Sequence, residues 1–103
     1  MAGRLQGKAA LVVGAGQTPG ETIGNGRAIA MLFAREGASV LCADRHLARA
    51  EETVALIAAE GGAAFAVAAD VKKAADAAFM VDEALARLGR LDILVNNVGI
   101  GGA

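Results

Sequence analysis

The chain has 103 residues, a net charge of -1 and 55% hydrophobic residues. That length holds one domain, and so apolar a composition excludes a disordered chain. Its Lys and Arg residues are scattered, with no basic stripe and no interleaved aromatics, which excludes a nucleic-acid partner from the expected ones.

The first element is "AALVV" (Ala9 to Val13), a short apolar run closed by Gly14 and read as a strand buried on both faces. "GRAIAMLFAREGA" follows, a deeply packed helix with Gly37 at its C-terminal boundary. "SVLCAD" (Ser39 to Asp44) is a second strand. In "LARAEETVALIAAEGG", Leu47, Ala50, Val54 and Ile57 form one face of an amphipathic helix that ends at Gly61 and Gly62. "AAFAVAAD" is a third strand. Ala78, Val81, Leu85 and Leu88 then repeat the helical spacing up to Gly89, and "LDILVNN" is a fourth strand.

The order β-α-β-α-β-α-β, with strands that are apolar without strict alternation, predicts a parallel sheet covered by helices on both faces. Right-handed crossovers make it the N-terminal half of a Rossmann-like, doubly wound α/β fold with strand order 3-2-1-4. Residues 1–103 form one segment with no linker or repeat. If "LDILV" lies at an edge, it exposes an apolar strand with open hydrogen-bonding groups.

Cys42 is the single cysteine, so no internal disulfide forms and a reducing compartment fits. The N-terminal MAGRLQGK lacks a signal-peptide core, and no window reaches the roughly 18 apolar residues of a membrane span. A cytoplasmic protein without a membrane partner is expected.

The stretch between the first strand and the first helix, "GAGQTPGETIGNG", carries Gly14, Gly16, Gly20, Gly24 and Gly26. A dinucleotide site needs glycines there for a tight turn, for backbone approach to the pyrophosphate, and for close helix packing. The helix N-terminus then offers N–H groups and partial positive charge to the phosphates. The spacing is wider than the short Gly-x-Gly-x-x-Gly form, so a glycine-rich connector without a ligand stays open.

Asp44 ends the second strand about 20 residues after the turn, where this fold places an acid for the ribose hydroxyls. A carboxylate there favours NAD and opposes the extra phosphate of NADP, although Arg45 beside it offers a cation. A plain helix cap is the other reading of Asp44. Asp70, followed by Val71, either accepts from the adenine amino group or caps the next helix. Asn96-Asn97-Val98-Gly99 closes the fourth strand, where Asn96 ties strand ends together and Gly99 lets a ligand approach. An ordinary turn is the alternative. Cys42 reads as a small buried hydrophobe, His46 as a surface residue, and Glu51 and Glu52 as a solvated helix face. No metal-ligand spacing or catalytic carboxylate pair is found.

Together the glycine turn, "AD" at Asp44, "DV" at Asp70-Val71 and "NNVG" resemble the short-chain dehydrogenase/reductase family from "GKAALVVGAG" to "ILVNNVGIGG". The usual family turn is Gly-x-x-x-Gly-x-Gly. If Gly24-Asn25-Gly26 is its end, residues are inserted after Gly16. The enoyl-reductase branch has a longer turn, and "TIGNGRA" is similar to it, which would make Thr22 and Ile23 phosphate contacts. "NNVG" instead resembles the ordinary dehydrogenase branch.

The resemblance implies hydride transfer between a nicotinamide dinucleotide and an alcohol or carbonyl. It also implies a Tyr general acid or base assisted by a Lys and a Ser, and a homo-oligomeric full-length enzyme. Those catalytic residues follow the Asn-Asn-Ala-Gly motif in the family, and this chain contains no tyrosine. The expectation is therefore the cofactor-binding N-terminal part of a longer oxidoreductase, inactive alone, with NAD as cofactor and a small-molecule substrate. A nucleotide-binding module complete at Ala103, without catalysis, is the alternative.

Overall fold

Four parallel strands alternate with three helices in the computed structural model, which describes residues 3–16, 25–70 and 72–96. The strands are β1 (Ala9–Val13), β2 (Ser39–Asp44), β3 (Ala63–Ala68) and β4 (Ile93–Asn96). The helices are α1 (Asn25–Arg35), α2 (Leu47–Ala59) and α3 (Ala74–Leu88). The sheet order is β3-β2-β1-β4, the doubly wound order the sequence predicts.

Strand β1 is buried at every position because β2 and β4 flank it and helices cover both faces. Its alternate side chains enter two cores. Leu11 and Val13 join Leu41, Ala43, Val67, Met80 and Ala84 on the α3 side. Val12 joins Val40, Cys42, Ala30, Ala50 and Ile57 on the side of α1 and α2. Small residues are most of the core on the side of α1 and α2, where Ala15, Ala30, Ala38, Cys42 and Ala50 are buried.

The register matters for function. Val13 pairs with Ala43 on one side and with Asn96 on the other, while Asp44 pairs with Ala68. The C-terminal ends of the strands therefore finish level, and the residues just past them gather at one edge. At the opposite edge Asp92 fastens β4. Its N–H donates to the Ala9 carbonyl at 2.9 Å, and its Oδ2 accepts from the Ala9 N–H at 2.9 Å. Arg90 pairs with the same carboxylate at 2.8 Å, and these hydrogen bonds hold it below the usual aspartate range.

Two predicted helix faces shift. On α3 the sheet contacts are Met80 and Ala84, with Leu88 beside them, whereas Ala78 is exposed and Val81 and Leu85 are 37% and 48% exposed. The helix is apolar on two sides, and the 80-84-88 row is the one that meets Leu11 and Leu41. On α2 the buried set is Ala50, Thr53 and Ile57, with Val54 half-buried and Leu47 exposed at the N-terminus. Strand β4 pairs only with β1 among the described residues, and its Leu94 is 60% exposed, as expected of an apolar edge strand.

Burial pushes the Cys42 thiol up to about 12, so the native side chain stays a neutral hydrophobe at physiological pH. Both states keep the thiol proton below the unfolded pKa of about 8.5, and above it the unfolded chain ionises first, so stability falls as pH climbs toward the folded value. Iodoacetamide at pH 8 is accordingly expected to leave the folded protein unlabelled at Cys42 and to alkylate it rapidly in urea. Rapid labelling without denaturant would contradict the burial. No described helix is long and apolar enough to cross a membrane.

Candidate functional site

At the level ends of the strands, the turn after β1 lies against the tip of β2. Gly14 adopts φ 77°, a left-handed conformation that reverses the chain and that side chains disfavour. The Gly14 and Ala15 N–H groups both donate to the Ala43 carbonyl, at 2.8 and 3.1 Å. The Gly16 N–H donates to Asp44 Oδ2 at 3.1 Å. The first glycines of the loop are thus tied to β2 through their own amides, and their part is to shape the turn. Donors for a phosphate must come from farther along, where the first turn of a helix carries N–H groups without intrahelical partners.

Gly26, in the first turn of α1, sits directly over this turn. A Cβ on it would overlap the Gly14 carbonyl oxygen and crowd the Ala15 Cα. A Cβ on Gly16 would overlap the Arg49 side chain and stand 2.9 Å from Asp44 Oδ2. Both glycines allow contacts that alanine would block, which is the close helix–strand packing that a dinucleotide turn requires.

Asp44 is half-buried at the tip of β2. Besides the Gly16 N–H on Oδ2, its Oδ1 accepts from the His46 N–H at 2.9 Å. A carboxylate has about four acceptor positions, and its partners among the described residues take two of them, which leaves two for hydroxyl donors. The helix-cap alternative takes a specific form here. Asp44 holds the amide of His46, and exposed His46 is the N-cap of α2 without a side-chain cap bond.

Asp70 follows β3, and its Oδ1 accepts from the Lys72 N–H at 3.0 Å. Its own N–H donates to Asp76 Oδ2 at 2.8 Å. The N-cap of α3 is Lys73, so Asp70 braces the approach to the helix and does not cap it. Asn96 ends β4 beside Val13 and is exposed. Thr22, Ile23, Gly24, Val71 and Gly99 lie outside the described residues, as do Gly20, Asn97 and Val98.

Two residues to which the sequence alone assigns no role stand behind the turn. Thr53, on α2, is fully buried, and its hydroxyl lies 2.8 Å from the Ala15 carbonyl oxygen. Arg27, on α1, donates from Nε to Thr53 Oγ1 at 3.0 Å and pairs with Glu52 at 3.0 Å. Glu52 lies on the exposed helix face expected of it, and its ion pair with Arg27 also joins α2 to α1. The available signal is a threonine at the position between Ala50 and Ile57 on the buried side of α2. No group of side chains among the described residues forms a metal-binding cluster.

Strands β1 and β4 are neighbours although β2 and β3 follow β1 in sequence, so the strand order reverses between them. In open α/β sheets the crevice beyond the strand ends at such a reversal is where ligands bind. Gly14, Gly16, Gly26, Asp44, Asp70 and Asn96 all stand at this edge of the sheet.

Comparison with known proteins agrees with this geometry. The short chain dehydrogenase family profile matches residues 8–103. The chain is 41% identical over 99 residues to the 7alpha-hydroxysteroid dehydrogenase of Escherichia coli K12, covering 96% of this chain and 36% of that protein. A crystal structure from Burkholderia xenovorans, described as a short-chain dehydrogenase/reductase, matches with TM-score 0.88 at 53% identity over 95% of this chain and 38% of that one. A 7α-hydroxysteroid dehydrogenase complexed with NADH and 7-oxo glycochenodeoxycholic acid matches with TM-score 0.87 at 41% identity, over 97% of this chain and 36% of that one. The chain thus spans little more than a third of the length of the relatives it matches. With its glycine turn, its parallel strand order and a match over nearly all of its length, the chain belongs to the short-chain dehydrogenase/reductase family.

Proposed function

We propose that this chain is the dinucleotide-binding part of an NAD-dependent oxidoreductase acting on an alcohol or a carbonyl. The observation that carries the reading is the Gly14–Gly16 turn, packed under Gly26 and bonded to Asp44 at the strand-order reversal. Close helix–strand packing that a Cβ at Gly16 or Gly26 would block, beside a half-buried carboxylate with acceptor positions left, is the arrangement that a dinucleotide turn and its adjoining ribose require.

In this reading the loop from Gly14 to Gly26, with Thr22, Ile23 and Gly24, surrounds the pyrophosphate. Asp44 accepts from the adenosine ribose and disfavours the phosphate of NADP. Asp70 and Val71 border the adenine, while Asn96 and Gly99 border the nicotinamide side. The nicotinamide, when bound, supplies or accepts the hydride. The family's proton donor is a tyrosine, and these 103 residues contain none, so the reading places proton transfer and the substrate pocket outside them. It also makes the complete enzyme a homo-oligomer.

Calorimetric titration of the native-length protein with NAD and NADP tests the assignment. Saturable binding with NAD the tighter is expected. Absence of saturable binding to either would overturn it, and binding without any turnover of alcohols or ketones would favour a nucleotide-binding module instead.

A further inference from the structure

The peptide unit between Ala15 and Gly16 is held at both ends. Its N–H, on Gly16, donates to Asp44 Oδ2 at 3.1 Å. Its carbonyl, on Ala15, accepts the Thr53 hydroxyl at 2.8 Å. Ala15 is itself fully buried, so its carbonyl has no water to turn to, and Thr53 is the only fully buried polar side chain among the described residues. A threonine hydroxyl has one proton to give. The Arg49 carbonyl lies farther away, at 3.3 Å, and the Ala15 carbonyl is the closer acceptor. The oxygen of Thr53 in turn accepts from Arg27 Nε at 3.0 Å, and an ionised donor on that oxygen polarises its O–H toward Ala15.

The result is a relay from α1 to β2: Arg27, Thr53, the 15–16 peptide, Asp44. We infer that Thr53, backed by Arg27, is a positioning residue that sets the Asp44 carboxylate for the ribose of the dinucleotide. The inference rests on the proposed reading of Asp44 as ribose acceptor. A single peptide plane cannot rotate while both of its ends are bonded, so the oxygen that Gly16 holds stays fixed, and with the His46 N–H on the other oxygen at 2.9 Å it sets the carboxylate plane. Loss of the Thr53 hydroxyl leaves the Ala15 carbonyl buried without its partner, and rotation of the plane to relieve it moves the Gly16 N–H off Asp44. Neither Thr53 nor Arg27 needs to touch the ligand for this effect.

The test compares NAD with its adenosine 2′-deoxy analogue by calorimetry on the native-length protein. The wild type is expected to prefer NAD by about tenfold, the size of one hydrogen bond to a charged acceptor. Thr53→Val is expected to weaken NAD by about tenfold and the deoxy analogue much less, so that the preference closes toward unity. Thr53→Ser keeps the hydroxyl and is expected to restore the preference. Equal weakening of both ligands in Thr53→Val, or a serine variant that behaves like valine, overturns the inference and leaves Thr53 a role in folding alone. If Thr53→Val does not fold, Arg27→Gln carries the same comparison: a narrowed preference supports the relay, and an unchanged one overturns it. A wild type that binds both ligands equally removes Asp44 as the ribose acceptor, and the inference falls with that reading.

Discussion

Replacing Gly26 with alanine is expected to destabilise the protein by about 3 kcal/mol and to abolish dinucleotide binding. The added Cβ would overlap the Gly14 carbonyl oxygen and approach the Ala15 Cα to 3.1 Å, and both are backbone atoms. A flexible side chain could swing aside, but this turn cannot. Gly14 and Ala15 are bonded to Ala43, and Gly16 to Asp44. Relief requires α1 to lift from β1, which opens the packing around Ala30 and Val12 and widens the space between turn and helix. Gly61→Ala is the control. Gly61 has φ 85° and nothing near its missing Cβ, so that substitution meets backbone strain alone, about 1 kcal/mol. Urea denaturation of both variants at native length separates the two effects. A Gly26→Ala variant no less stable than Gly61→Ala would show that the helix does not need its close approach.

Much of this site is legible in the sequence, for reasons that differ by residue. The bounds of β1 and β2 follow from apolar runs closed by Gly14 and Asp44, and the structure places both ends where those residues stand. The strand order follows from alternating strands and helices, because parallel crossovers leave few arrangements. The face of α3 is not legible. Ala78, Phe79, Met80, Val81, Ala84, Leu85 and Leu88 give that helix two apolar rows, and only contact with Leu11 and Leu41 selects the row through Met80 and Ala84. Thr53 escapes for a related reason. Periodicity counts apolar residues, and a threonine buried for its hydroxyl looks like a gap in the stripe. The partners of Asp44 are hidden too, since a residue at the end of β2 meets the Gly16 amide only once β1 and β2 are paired.

Asp44→Ala is expected to weaken NAD binding by roughly 10- to 100-fold, about 1.5–3 kcal/mol for hydrogen bonds to a charged acceptor, while NADP binds more tightly than before. The carboxylate stands half-buried at the tip of β2, where the second strand of this fold meets the ribose. In the proposed site its negative charge would attract the hydroxyl donors of NAD and repel the dianionic phosphate that replaces one of them in NADP. Its removal takes away both effects and leaves exposed Arg45 as the neighbouring charge. The substitution also frees the Gly16 and His46 amides, now held at 3.1 and 2.9 Å, and that loss disturbs the turn for any ligand. A disturbed turn weakens both dinucleotides together, whereas the loss of the charge moves them in opposite directions. Titration of both cofactors into Asp44→Ala and Asp44→Asn therefore tells the two roles apart. The asparagine keeps one carbonyl oxygen for an amide but carries no charge, so it is expected to retain more stability than alanine and to lose the same discrimination. Parallel weakening of NAD and NADP in both variants would show that Asp44 pins the turn and takes no part in choosing the cofactor.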